Sequence, residues 1–344
     1  MPLSKMEQLR ADLRNLAGAG EHLAERLTAE LAFADGLARL HPEKAPAWTK
    51  LVDKAAAAAA EAVAGGKAAA LGKAVAAAEE TLAPIAKVAK TYTVHCVGHA
   101  HIDMNWMWSW PETVAITNDT FITVLRLMEE FPDFCFSQSQ ASVYAIVREH
   151  NPELLGPIRG RVQEGRWEVT AVHWVEGDKN LACGEALARH MLYARRFMKE
   201  LFDLKPEDVP LDWECDLFGH AHTIPTILVR GGARRYYMCR AGMPEKPPVF
   251  WWRGPDGARV LVVRDASGYG GSIGPHVAGH LLAFCEKTGL RDWMEVYGIG
   301  DHGGGPTRRD ILRCRDMNSW PVYPNFRLAT TKKFYEILEA SAEK

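Results

Sequence analysis

From residue 91 onward the sequence alternates short runs rich in β-branched and aromatic residues with longer stretches of helical apolar spacing, and this alternation restricts the fold more than any other feature. Residues 91–97, 134–139, 166–172, 210–216, 235–239 and 294–300 read as strands. Helices are expected over 118–131, 141–165 with breaks near Pro152 and Pro157, 184–201, 225–230 and 281–287. Residues 249–252 and 259–263 read as an antiparallel pair joined by Gly254-Pro255-Asp256-Gly257, a strong hairpin signal. Strand followed repeatedly by helix predicts an α/β fold with a mainly parallel sheet.

The preceding residues, 4–90, are dominated by Ala, Leu, Glu, Lys and Arg and lack β-branched runs, which predicts helix. Leu9, Leu13 and Leu16, and again Leu23, Leu27 and Leu31, recur at helical spacing, so one face needs a partner surface. His41-Pro42 and Gly65-Gly66 divide the segment into about three helices. A packing appendage is the plain reading; a lid, or a contact in a homo-oligomer, is the functional one. The expected organisation is a helical segment over 1–90, an α/β domain over 91–325, and the start of a further helical region over 326–344.

Lysine plus arginine, 41, nearly balance aspartate plus glutamate, 43, so no electrostatic footprint points to nucleic acid or an anionic membrane. Seven cysteines at irregular spacing, without a secretory leader, predict a reducing, cytoplasmic setting. The alanine-rich stretch 55–78 carries Glu61, Lys67, Lys73 and two glycines, and falls short of a membrane span.

Three of the strand-like runs end in acids, at Asp103, Asp216 and Asp301. Acids following separate parallel strands converge on one rim when a sheet closes. His101 and Asp103, two apart in extended backbone, face the same way and offer mixed nitrogen and oxygen donors. Together with Asp216 they suit zinc, with manganese or cobalt as alternatives on ligand type. His99 is a rival ligand, and His220, His222 and His302 are candidates for a fourth. Asp212, Glu214 and Asp216 alternate along one strand, so up to three carboxylates share a face that would otherwise be core. Burying them requires a cation or a reaction, unless the strand is an exposed edge. Asp301 and His302, entering a glycine-rich turn, are candidates for general acid/base work, against the reading of a solvated turn. Trp106 stands three residues after a candidate ligand and offers a flat face for a sugar ring, while most of the other tryptophans suit a core.

Four runs in order, GHAHIDMNWMW, GRWEVTAVHWVEGDKNLACGEAL, DWECDLFGHAHTIP and YGIGDHGGGPT, resemble the catalytic domain of glycoside hydrolase family 38, the zinc-dependent α-mannosidases, over about residues 91–325. The N-terminal helices are in keeping with its bacterial members. The resemblance implies an irregular seven-stranded β/α barrel holding one zinc, a mannose-containing oligosaccharide or glycoside as substrate, and a retaining double displacement. His101 and Asp103 fall on the family's ligand pair, Asp216 on its nucleophile and further zinc ligand, and Trp106 on its sugar-stacking tryptophan. Arg240 falls on an arginine near the nucleophile, and the acid/base falls on Asp301-His302, with Asp301 preferred. The family's fourth ligand, a histidine in a following helical region, and its C-terminal β domains are expected to lie beyond Lys344, making this chain a truncated form. The alternatives are another metal-dependent carbohydrate hydrolase, such as a deacetylase, or a non-catalytic sugar-binding barrel.

Overall fold

A computed structural model describes residues 21–63, 68–240 and 246–342. The spacing of Leu9, Leu13 and Leu16 and the Gly65-Gly66 break lie outside the described residues. In chain order the elements are α1 (Glu21–Leu40), α2 (Ala45–Val63), α3 (Ala68–Ala89), β1 (Thr93–Gly98), α4 (Trp110–Glu130), β2 (Phe136–Gln138), α5 (Ala141–His150) and α6 (Leu155–Gln163). Then come β3 (Trp167–Val169), α7 (Gly184–Phe202), β4 (Leu211–Glu214), α8 (Ile224–Arg230), β5 (Arg235–Met238), β6 (Val249–Arg253) and β7 (Arg259–Arg264). The last are α9 (Val277–Thr288), β8 (Asp292–Tyr297), α10 (Arg308–Asn318), β9 (Asn325–Leu328) and α11 (Thr331–Ala342). Every expected strand forms, with its ends shifted by a few residues. The sequence reading misses α10 and β9, and α4 starts at Trp110, well before residue 118, with Pro111 in its first turn where a missing N–H costs no helical hydrogen bond.

The chain divides into two compact units. One gathers the described residues up to Val94 with Ile273–Trp293 and Leu312–Arg327. Its α2 buries Trp48, Val52, Ala55, Ala56, Ala59 and Val63, a single face at helical spacing, against α1 and α3. The small alanine side chains let the three helices approach closely. Gly36 of α1 serves the same end, because a Cβ there would collide with Leu282 of α9. Phe33 meets Tyr323 edge-on at 5.5 Å, and Tyr323 stacks on Phe326 at 5.7 Å. The N-terminal apolar face thus finds its partners inside this unit.

The other unit holds His95–Ser272 and Met294–Ile311, with the described residues from Leu328 onward. It contains a sheet ordered β4-β5-β7-β6, in which β4, β5 and β7 run parallel and β6 lies antiparallel to β7. The expected hairpin turn is there, with Gly257 at φ 84°. A further sheet is ordered β3-β2-β1-β8, and its pairs β1–β2 and β2–β3 are parallel. Trp167 is the aromatic centre of this unit: Phe121 and Phe136 meet it at 5.0 and 4.9 Å, and its indole N–H donates to the Tyr144 hydroxyl at 3.0 Å. Beside it, Glu168 accepts from Ser137 Oγ at 2.6 Å and from the backbone N–H groups of Thr331 and Lys332 at 2.8 and 3.1 Å. A carboxylate thus sits at the N-terminus of α11, where the helix dipole favours it.

In the first unit, Glu30 is buried, accepts from the Val322 N–H at 2.9 Å and lies 3.6 Å from Arg26 Nε. Burial pushes its pKa up from the ordinary 4.5 to about 8, and the nearby Glu79 charge adds to the rise. The folded state therefore holds this proton to higher pH than the unfolded chain, and the associated stability is lost as pH rises above 4.5 toward the raised value. Glu30→Gln is expected to remove that slope, so that thermal melts across the acid-to-alkaline range show the variant gaining on the parent as pH rises. A constant difference would contradict this.

Candidate functional site

The site is built from loops that follow three strands of the second unit. After β1, residues 99–103 carry the first of them. Gln138 and Gln140 donate side-chain N–H groups to the carbonyls of Ala100 and Ile102, at 3.1 and 2.9 Å. The Asp103 N–H donates to the Asp301 carbonyl at 2.9 Å, which joins the loop after β1 to the loop after β8. Asp301 itself has φ 64°, a left-handed conformation that aspartate tolerates better than most residues. Asp216 follows β4.

One ligand atom from each of His101, Asp103, Asp216 and Asp301 lies within 4.8 Å of the others. His101 Nε2 is 3.0 Å from Asp103 Oδ1 and 3.9 Å from Asp216 Oδ2. These residues open onto a pocket of about 520 Å³, also lined by Trp106, Gln140, Glu176, Phe218 and Arg240. Trp106 is 65% exposed, so its ring is available to a ligand. Arg240 Nε pairs with Asp216 Oδ1, and its Nη2 donates to the Tyr269 hydroxyl at 3.3 Å. Tyr269 in turn donates to Asp301 Oδ1 at 3.0 Å, and burial raises its pKa, so it stays a donor.

Burial opposes a charge on His101, but the hydrogen bond to Asp103 and the neighbouring carboxylates outweigh it and raise the pKa, while burial raises the pKa of Glu176 to about 8 against the pull of His101. The sequence reading does not single out Glu176. Its Oε1 accepts the Asp216 N–H at 2.8 Å, and its Oε2 lies 3.3 Å from His101 Nδ1. Sequence reasoning misses Tyr269 as well, although its Gly-Tyr-Gly setting marks a backbone free to approach a ligand.

The other candidate histidines lie elsewhere. His302 Nε2 is 2.8 Å from Glu112 Oε1 and its ring meets Trp108 edge-on, and it does not line the pocket. His99 Nδ1 is 2.8 Å from the Ser137 carbonyl, and burial lowers its pKa to about 3. It groups instead with His101 and Cys215. His220 Nδ1 is 2.8 Å from the Tyr236 hydroxyl, and His222 is exposed.

One imidazole and three carboxylates so close together form a donor set that suits a divalent ion of the zinc, manganese or cobalt type. Arg240 is the one lysine or arginine among the residues lining the pocket, and a single guanidinium does not balance three carboxylates. The residues present fit a metal.

Asp212 and Glu214 have a different answer from the one expected. They do not share the Asp216 pocket: β4 ends at Glu214, and both acids sit in a buried cluster with Lys179 and His173. Lys179 Nζ is 2.5 Å from Glu214 Oε1 and 3.4 Å from Asp212 Oδ2, and His173 Nδ1 is 2.6 Å from Asp212 Oδ1. The cation these acids require is an ammonium group of the chain itself.

Fold and cleft together define an α/β protein with an acid-rich, metal-capable pocket beyond the ends of its strands. Residues 91–344 match the glycosyl hydrolases family 38 N-terminal domain, and the chain belongs to that family. Alpha-mannosidase 2C1 of Homo sapiens is 31% identical over 259 residues, which is 73% of this chain and 24% of that protein. Alpha-mannosidase G of Dictyostelium discoideum is likewise 31% identical over 259 residues, covering 73% of this chain and 23% of that protein. The crystal structure of an alpha-mannosidase from Enterococcus faecalis V583 superposes with a TM-score of 0.64 at 19% identity, over 72% of this chain and 29% of that one. The chain thus spans about a quarter of the length of these curated relatives.

Replacing Lys179 by methionine leaves Asp212 and Glu214 buried without their cation, and is expected to destabilise the protein by about 3–5 kcal/mol. Denaturant unfolding measures this, and an unchanged midpoint would show that the acids find another partner.

Proposed function

We propose that the chain carries the catalytic pocket of a retaining α-mannosidase acting on terminal α-linked mannose in an oligosaccharide or glycoside. The observation that carries this reading is the convergence of His101, Asp103, Asp216 and Asp301 on one pocket in a chain of family 38. The names of the relatives, both alpha-mannosidases, supply the substrate class. We assign β3, β2, β1, β8, β4, β5 and β7 to the wall of a seven-stranded barrel. The seven free cysteines support a cytoplasmic setting, and among the described residues no helix is long and apolar enough to cross a membrane.

In this reading Asp216 attacks the anomeric carbon and forms a glycosyl ester, while Asp301 protonates the departing oxygen and then takes a proton from the incoming water. Retaining enzymes hold their two carboxyl groups about 5–5.5 Å apart, against about 6.5–9.5 Å in inverting ones. Asp216 and Asp301 each bring a carboxylate oxygen within 4.8 Å of the other, close enough for the two groups to stand at the retaining separation. Arg240 holds Asp216, and Tyr269 holds Asp301. Trp106 offers its face to the sugar ring. Zinc, or else manganese or cobalt, would be held by His101, Asp103 and Asp216, and when bound it supplies Lewis-acid charge that orients the sugar hydroxyls. The pairing of His302 with Glu112, outside the pocket lining, leaves Asp301 as the acid/base we favour.

Release of 4-nitrophenol from its α-mannoside tests the assignment. Asp216→Ala is expected to reduce release to background, Asp301→Ala to slow it about 10²–10⁴-fold, and His302→Ala to leave most of it. Stripping the metal with a chelator is expected to abolish release and zinc to restore it. Full turnover by Asp216→Ala would overturn the reading, and sugar binding without release would favour a non-catalytic barrel.

A further inference from the structure

Asp216 and His101 follow different strands, yet one side chain touches both. Glu176 accepts the Asp216 backbone N–H through Oε1 at 2.8 Å and places Oε2 3.3 Å from His101 Nδ1. Its own backbone N–H donates to Gln140 Oε1 at 3.0 Å, while Gln140 Nε2 donates to the Ile102 carbonyl at 2.9 Å. Gln140 adopts φ 63°, so its backbone is set in the left-handed region while its amide serves two loops at once. The three loops carrying His101, Glu176 and Asp216 are therefore joined by consecutive hydrogen bonds.

A histidine binds metal through one ring nitrogen only when the other carries the proton, and an acceptor beside that second nitrogen selects the tautomer. At His101 the nitrogen facing Asp103 and Asp216 is Nε2, so metal binding there requires the proton on Nδ1. Two groups stand beside Nδ1: the Glu176 Oε2 acceptor, and at 3.3 Å the Cys215 thiol, which can donate or accept. A thiol is weak in both roles, which leaves the carboxylate to decide.

We infer that Glu176 is a positioning residue of the metal pocket: it holds the His101 proton on Nδ1, leaving Nε2 free for the metal, and fixes the Asp216 backbone with the same carboxylate. This rests on the metal-dependent reading given above. Glu176→Gln is the informative change. The amide oxygen can still accept the Asp216 N–H, but an NH₂ group then faces Nδ1 and favours the opposite tautomer.

The test uses the 344-residue chain, with zinc affinity measured by competition against a chromophoric chelator and the His101 tautomer read by nitrogen-detected NMR of the metal-free protein at alkaline pH. Glu176→Gln is expected to weaken zinc binding about 10–100-fold and to move the His101 proton to Nε2, with little change in melting temperature. A purely structural role would lower the melting temperature and leave both readouts unchanged, and that result would overturn the inference. Should the variant not fold, the unmodified protein still decides: a neutral His101 protonated on Nε2 overturns it. An unmodified protein that binds no zinc would instead sink the metal-dependent reading, while the tautomer measurement continues to test Glu176.

Discussion

Three carboxylates held around one imidazole are a repulsive arrangement, and the fold around the pocket is organised to keep them there. Each acid is restrained from outside the cluster or through its neighbour's backbone. Asp103 is tied through its backbone to Asp301, Asp301 through its side chain to Tyr269, and Asp216 through Arg240 and Glu176. Two glutamines at and just beyond the end of β2 hold the carbonyls of the His101 loop. These restraints are short and polar, and they rest on strands buried beneath them. The sheets thus contribute rigidity where the loops contribute charge.

The two units solve their packing differently. In the first, alanine-lined helix faces and Gly36 bring backbones close together, and cohesion comes from many small contacts. In the second, large aromatic rings fill the space, with Trp167 between Phe121 and Phe136 and Trp213 stacked on Tyr237 at 4.1 Å. The candidate site lies in the aromatic unit.

Much of this is legible in the sequence, because the signals are local. Strand composition, the Gly254–Gly257 turn and the proline breaks near Pro152 each act within a few residues, and the elements appear where those signals stand. The acids after β1, β4 and β8 are legible for the same reason. Partners are not. Lys179 lies far along the chain from Asp212 and Glu214, and Tyr269 far from Asp301, so no spacing rule links them. Alternation correctly puts Asp212 and Glu214 on one strand, but the strand ends at Glu214 and Asp216 falls in a different environment. Neither β9 nor α10 carries a distinct periodic signal, and sequence reasoning passes over both.

Two clusters of this unit gather acids with a histidine, and they differ in what stands opposite the acids. In the cluster of His173, Asp212 and Glu214, the countercharge is the Lys179 ammonium, covalently part of the chain. A resident ion of that kind cannot dissociate, cannot be extracted by a chelator and cannot be exchanged for a competing metal. Of these two clusters, the one at Asp216 lines an open pocket. The lysine therefore acts as a permanent plug, and the acids of this unit that stay open to a ligand are those around Asp216.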